Sequence, residues 1–139
     1  MILRSLGILI RFLRVRLIGY QPVNKFSDDE LMCKCGCGLQ GVNKGTLERL
    51  NLARYLAAVP FKITSSIRCR VHNLSVSTVG LNSPHVRGFA VDISTLHSLP
   101  RFIILVSLLL AGFTRIGIGS NFIHADDDPS KVKEVIWTY

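Results

Sequence analysis

The sequence predicts an α+β domain, a small, mainly antiparallel sheet with helices packed on it. Three observations predict it. Helical patterns come early and strand patterns cluster late, with short connections between them. Hydrophobic residues make up 48% and charged residues 19%, a balance that builds a packed core and excludes a disordered chain. A length of 139 residues suits one such core.

The elements follow in order. Residues 1–25 form a basic, apolar extension that opens MILRSLGILIRFLRVRLIGY. On a helix, Arg4, Arg11 and Arg14 share one side and Arg16 falls off it. Charges interrupt the apolar run too often for a membrane span, and they continue too far for an ordinary signal peptide. An interfacial helix on anionic lipid, a helix packed on the domain, and a poor export signal all remain open.

The domain itself spans residues 26–139. In FSDDELMCKC, Ser27 followed by Glu30 matches a capping box, with Phe26 just before the cap. TLERLNLARYLAAV reads as an amphipathic helix through Leu47, Leu50, Ala53 and Ala57, and Pro60 closes it. FKITSSIR reads as a short strand, and His72 to Ser83 as a loop. GFAVDIST alternates as a strand. FIILVSLLLAGF is too short to span a bilayer and reads as a buried core helix stopped at Gly112. TRIGIG and NFIHAD read as strands joined near Gly119 and Ser120, and EVIWTY as the last strand.

The formal net charge of +8 points to an anionic partner: nucleic acid, anionic lipid or an acidic wall polymer. No zinc-finger spacing or aromatic RNP-type strand accompanies it, so nucleic acid is not expected. Contact with a membrane surface through residues 1–20 is an expectation.

Four histidines are present: His72, His85, His97 and His124. His85 on a loop and Asp92 on the following strand can converge on one ion, with Gly88 easing the turn. His124 and Asp126 stand at i and i+2 of a strand and share a face. Two histidines and a carboxylate make a catalytic zinc set with one position left open. On spacing alone, unrelated surface groups explain the same pattern.

The wording around these residues adds to the spacing. SPHVRGFAVD resembles the S-x-H-x-x-G-x-A-x-D signature of the LAS metallopeptidases. These are zinc D-Ala-D-Ala carboxypeptidases and L-alanyl-D-glutamate endopeptidases, whose fold is shared with the hedgehog signalling domain. SSIRCRVHN is similar to the family's S-G-Y-R-C-x-x-H-N segment. GFTRIGIGSNFIHAD, FSDDELMCKCGCG and VIWTY resemble a small, phage-lysin-like branch, so the similarity covers residues 26–139.

The resemblance implies zinc on His85, Asp92 and His124. It implies that Arg68 holds a substrate carboxylate or carbonyl, against the alternative of an ion pair with Asp92 or a surface carboxylate. Ser83 would brace the ligand loop or contact substrate, His72 and Asn73 would order their loop, and His97 would be solvated. Many relatives carry an acid three residues before the last histidine; here Asn121 stands there. Asp126 is then either the catalytic proton acceptor or a residue that orients a ligand, while Asp127 and Asp128 read as turn residues. Ser66, Ile67 and Pro84 are further departures.

The implied function is hydrolysis of peptide bonds in peptidoglycan stem peptides that contain D-amino acids. The protein would act at the cell wall, in lysis or remodelling, and a phage product made in the host cytoplasm fits. A zinc-containing but inactive binding module of the same fold is the alternative. Cys33, Cys35, Cys37 and Cys69 are expected to be structural, through an all-thiolate zinc site or a disulfide to Cys69.

Overall fold

The computed structural model describes residues 18–139. The arginine-threaded segment expected over residues 1–20 therefore lies almost entirely outside the described residues. Among these, no helix is long and apolar enough to cross a membrane.

Helix α1, Asp28–Leu31, starts on the expected capping box: Ser27 Oγ accepts the Glu30 N–H, and Glu30 Oε2 accepts the Ser27 N–H. Helix α2, Lys44–Ala57, is capped by Asn43, whose side chain accepts the N–H groups of Gly45 and Thr46. It ends where Ala58 turns left-handed, ahead of Pro60. Strand β1 is short, Ile63–Ser65.

The segment expected to be loop contains helix α3, Arg70–Val76, and a 3-10 turn, Gly80–Asn82. Its start is a cysteine cap, the Cys69 thiol accepting the His72 N–H. Val71, Leu74 and Val76 are exposed, and Asn73 is its one buried side chain. A helix without an apolar core face leaves no periodicity for the sequence to display.

Strand β2 is Ala90–Ser94 and helix α4 is Ser98–Leu110. The turn after α4 passes through Gly112 at φ +96°, as its glycine suggests. The expected core helix is buried along one side only. Ile104, Ser107 and Leu108 are buried, while Leu99, Phe102 and Leu109 are exposed. Helix α4 lies against α2 and the sheet, and these cover one stripe of it.

Strands β3 (Arg115–Ile118), β4 (Phe122–Asp126) and β5 (Val135–Thr138) complete a five-stranded sheet of order β1-β2-β4-β3-β5. Three pairings are antiparallel and β3–β5 is parallel. The α+β class expected from the sequence is the observed one.

Alternation divides the sheet into two faces. Val91, Ile93, Ile116, Ile123 and Ala125 point to the helices and form one core with Leu50, Ala53, Ile104 and Leu108. Burying each isoleucine there contributes roughly 1.5–3 kcal/mol. On the opposite face one register row crosses all five strands: Ser65, Asp92, His124, Gly117 and Trp137.

Candidate metal centre

Two of the sequence-nominated residues meet on this row because β2 and β4 pair Asp92 with His124. The third arrives from the loop before β2. His85 reaches the row because the chain reverses at Gly88, φ +77°, where a Cβ would stand 2.5 Å from the Gly41 carbonyl oxygen. The motif glycine is thus required for both its backbone angle and its close approach. The His85 carbonyl also accepts the Arg68 N–H, tying the two loops together.

Three donor atoms converge. His85 Nε2 is 3.2 Å from His124 Nδ1 and 3.2 Å from Asp92 Oδ1, and His124 Nδ1 is 2.9 Å from Asp92 Oδ1. Ligands about 2.05 Å from a tetrahedral zinc stand about 3.3 Å apart. The triangle therefore fits a single ion of that size.

Partners behind the ligands set the proton positions. His85 Nδ1 lies 2.6 Å from the Ser66 carbonyl oxygen, which only accepts, so Nδ1 carries the proton. His124 Nε2 donates to Asp126 Oδ2 at 2.8 Å. The remaining lone pairs of both rings face Asp92 Oδ1, an arrangement that calls for a cation. Asp92 Oδ2 is held separately by Arg68 Nη2 at 2.8 Å.

The titration behaviour agrees. Burial pushes His85 below the ordinary imidazole range, only partly opposed by Asp92. Burial also works against protonated His124, but the Asp126 and Asp92 carboxylates outweigh it and raise its pKa. Burial disfavours ionised Asp92, yet the adjacent His124 and His85 rings, whenever protonated, hold its pKa far below the carboxylate range. A pocket that draws a proton onto His124 is one that attracts positive charge.

A family model described as Peptidase M15 matches residues 24–126. The chain belongs to the Peptidase M15 family. Members of this family are zinc-dependent metallopeptidases, and the donor set fits that metal. Comparison with curated proteins finds no match. The matched residues of this M15 peptidase include all three converging side chains but stop before β5.

The other nominated residues fall into distinct places. Arg68 forms the ion pair with Asp92, donates Nε to Ser65 Oγ at 2.7 Å, and lines the cavity over the centre. Ser83 is buried on the cavity wall, its carbonyl accepting the Val86 N–H. Asn73 binds the Gly80 carbonyl and Arg68, bracing that wall. Asn121 lies outside the main cavity, beside Thr64 and Ser94. His97 is exposed at the start of α4.

Asp126 is fully buried behind His124 with both oxygens engaged. Oδ2 takes the His124 proton, and Oδ1 accepts from Arg115 Nε at 2.8 Å and from the Asp128 N–H. Asp127 and Asp128 do more than form a turn. Asp127 accepts from Thr46 Oγ1 and Arg49 on α2, and Asp128 pairs with Arg87 and Ser130.

Sequence reasoning missed the far wall of the M15 cavity, which has a volume of about 520 Å³. Trp137 packs beside His124 with ring centroids 5.5 Å apart, and Arg115 lies over the Trp137 ring. Tyr139 and Phe122 extend that wall. Gly117 makes room for it, since a Cβ there would be 2.8 Å from Trp137 and 2.7 Å from Tyr139. The visible signal was a lone tryptophan and a tyrosine two residues apart on a terminal strand.

The four cysteines gather away from this cavity. Cys33, Cys35, Cys37 and Cys69 bring their sulfurs within 4.8 Å of one another.

Proposed function

We propose that this M15 peptidase hydrolyses peptide bonds in bacterial peptidoglycan, in stem peptides containing D-amino acids, and acts at the cell wall in lysis or remodelling. The observation that carries the reading is the convergence of His85 Nε2, Asp92 Oδ1 and His124 Nδ1 with both ring protons directed outward. These residues would hold zinc, and zinc would supply Lewis acidity toward a water and a scissile carbonyl.

The chain's own groups do the rest. Ser66 and Asp126 fix the two imidazoles, and Arg68 fixes the free oxygen of Asp92. A guanidinium carries five N–H donors. Arg68 directs donors to Ser65, Asn73 and Asp92, leaving two for a substrate carboxylate or carbonyl. Arg115 and Lys131 add positive charge to the cavity wall, suiting an acidic wall peptide. Trp137, Tyr139 and Phe122 offer an apolar surface against which a peptide backbone lies.

Purified full-length protein incubated with peptidoglycan, with and without a chelator, tests this. New amino termini, identified by mass spectrometry of the fragments, should appear, vanish on chelation and return with zinc. A folded, zinc-loaded protein that releases none sinks the reading.

One observation favours a second reading, a zinc-containing binding module. The carboxylates lining the cavity are Asp92 and Asp126, and both are already committed to partners. On this reading the zinc-loaded protein sediments with peptidoglycan but leaves its peptides intact.

A further inference from the structure

We infer that Cys33, Cys35, Cys37 and Cys69 form a second metal centre, an all-thiolate site for a soft divalent cation, with zinc the natural occupant. It is separate from the His85, Asp92 and His124 set and does not depend on any catalytic reading of that set.

Sulfur spacing is the first argument. All four Sγ atoms lie within 4.8 Å of one another, with Cys33 and Cys35 at 3.5 Å and Cys35 and Cys69 at 3.6 Å. A disulfide needs about 2.05 Å and gathers sulfurs into pairs. Four thiolates about 2.3 Å from a tetrahedral zinc stand about 3.75 Å apart. The observed spacing is that of corners around one point, and the thiols are unpaired.

The backbone is shaped to produce it. Gly36 and Gly38 take φ +82° and +75°, with no atom within 4 Å of a Cβ built at either. Their role is therefore the left-handed backbone angle, which folds the Cys33–Cys37 segment tightly. Cys69 comes from far along the chain, held at the cap of α3.

The surroundings suit negative sulfur. The Cys69 N–H donates to Cys33 Sγ at 3.3 Å, and the His72 N–H donates to Cys69 Sγ at 3.3 Å. The His72 ring nitrogen Nδ1 lies 3.3 Å from Cys33 Sγ. Amide and imidazole groups around the sulfurs are the outer contacts that metal-bound thiolates attract. All-sulfur coordination selects zinc over hard cations such as magnesium or calcium. Cys35 and Cys37 are exposed, so a metal can enter from solvent.

The position gives the centre a task. Cys69 directly follows Arg68, whose guanidinium pairs with Asp92 and whose N–H binds the His85 carbonyl. Cross-linking residues 33–37 to Cys69 fastens the α1 segment to the loop that supports the first site.

The test uses full-length protein prepared under reductant without chelator, with metal content measured and cobalt substituted for zinc. Wild type should bind about two equivalents and show thiolate-to-cobalt charge-transfer absorption. His85→Ala with His124→Ala should lose one equivalent and keep that absorption. Cys35→Ser with Cys37→Ser should lose the absorption; should this variant fail to fold, wild type and the histidine variant decide alone. One equivalent in wild type without the absorption overturns the proposal. So do cysteines that resist alkylation after denaturation in protein isolated without any reductant, because they are then disulfide-bonded.

Discussion

Asp126→Asn is the most informative single change, because it keeps the shape of a fully buried side chain while altering its donors. Asp126 accepts from His124 Nε2 on one oxygen and from Arg115 Nε on the other. An amide has one oxygen for these two donors. If the oxygen stays on Arg115, the NH2 faces His124 and forces the ring proton to Nδ1, into the metal triangle. If it turns to His124, the NH2 meets the Arg115 guanidinium. Loss of an orienting partner of this kind weakens metal affinity about 10–100-fold, or about 1.4–2.8 kcal/mol. If the hydrogen bond to Arg115 is the one lost instead, the cost is roughly 1.5–3 kcal/mol in the stability of the metal-free fold. Zinc affinity by chelator competition, melting with and without zinc, and turnover at saturating zinc separate the effects. Turnover should largely recover once zinc saturates. Unchanged zinc affinity with turnover abolished at saturation would mean that Asp126 is the proton acceptor, and the positioning argument would be wrong.

Further expectations rest on other parts of the site. Gly117→Ala should push Trp137 and Tyr139 off the cavity wall, shifting tryptophan fluorescence and raising KM more than it lowers kcat; an unchanged emission spectrum argues against the close packing. Gly88→Ala combines a left-handed angle with a clash against the Gly41 carbonyl, so a stability loss above about 1–2 kcal/mol should appear in chemical denaturation, together with weaker metal binding. In the metal-free protein the raised His124 pKa adds stability below about pH 6.5 that fades as pH climbs through the folded value. Zinc must displace that proton, so its apparent affinity should weaken as pH falls, with proton release on binding measured by calorimetry in buffers of different ionisation enthalpy. Zinc binding that neither releases protons nor varies from about pH 8 to about pH 6 would contradict this assignment.

Much of the fold was legible because its signals are local. The Ser27–Glu30 capping box, the α2 periodicity and the alternation in β2 and β4 each sit within a few residues. His85, Asp92 and His124 were nominated by the resemblance of two short segments, SPHVRGFAVD and GFTRIGIGSNFIHAD, to the LAS metallopeptidases, since their spacing alone did not separate them from unrelated surface groups. The Arg115–Asp126 pair was not visible, since it depends on the register of β3 against β4. Trp137 and Gly117 become neighbours only because β5 adds in parallel to β3, a pairing that no spacing in the sequence announces. Helix α3 was hidden because its apolar side chains face solvent, and the uncovered side of α4 was hidden because its composition is apolar all round.

The two-faced sheet links the accuracy of the site to the stability of the core. Sliding β4 by one residue would turn Ile123 and Ala125 toward the cavity and move His124 and Asp126 among isoleucines, away from Asp92 and Arg115. The exposed Ile123 alone would cost roughly 1.5–3 kcal/mol, before the cost of leaving buried polar groups without their hydrogen-bond partners. Misaligned forms are thus depleted by the same event that removes their metal-binding geometry. The oily side of the strand acts as a proofreader for its polar side: molecules that reach full stability already hold His124 and Asp92 in step, whether or not a metal has yet arrived.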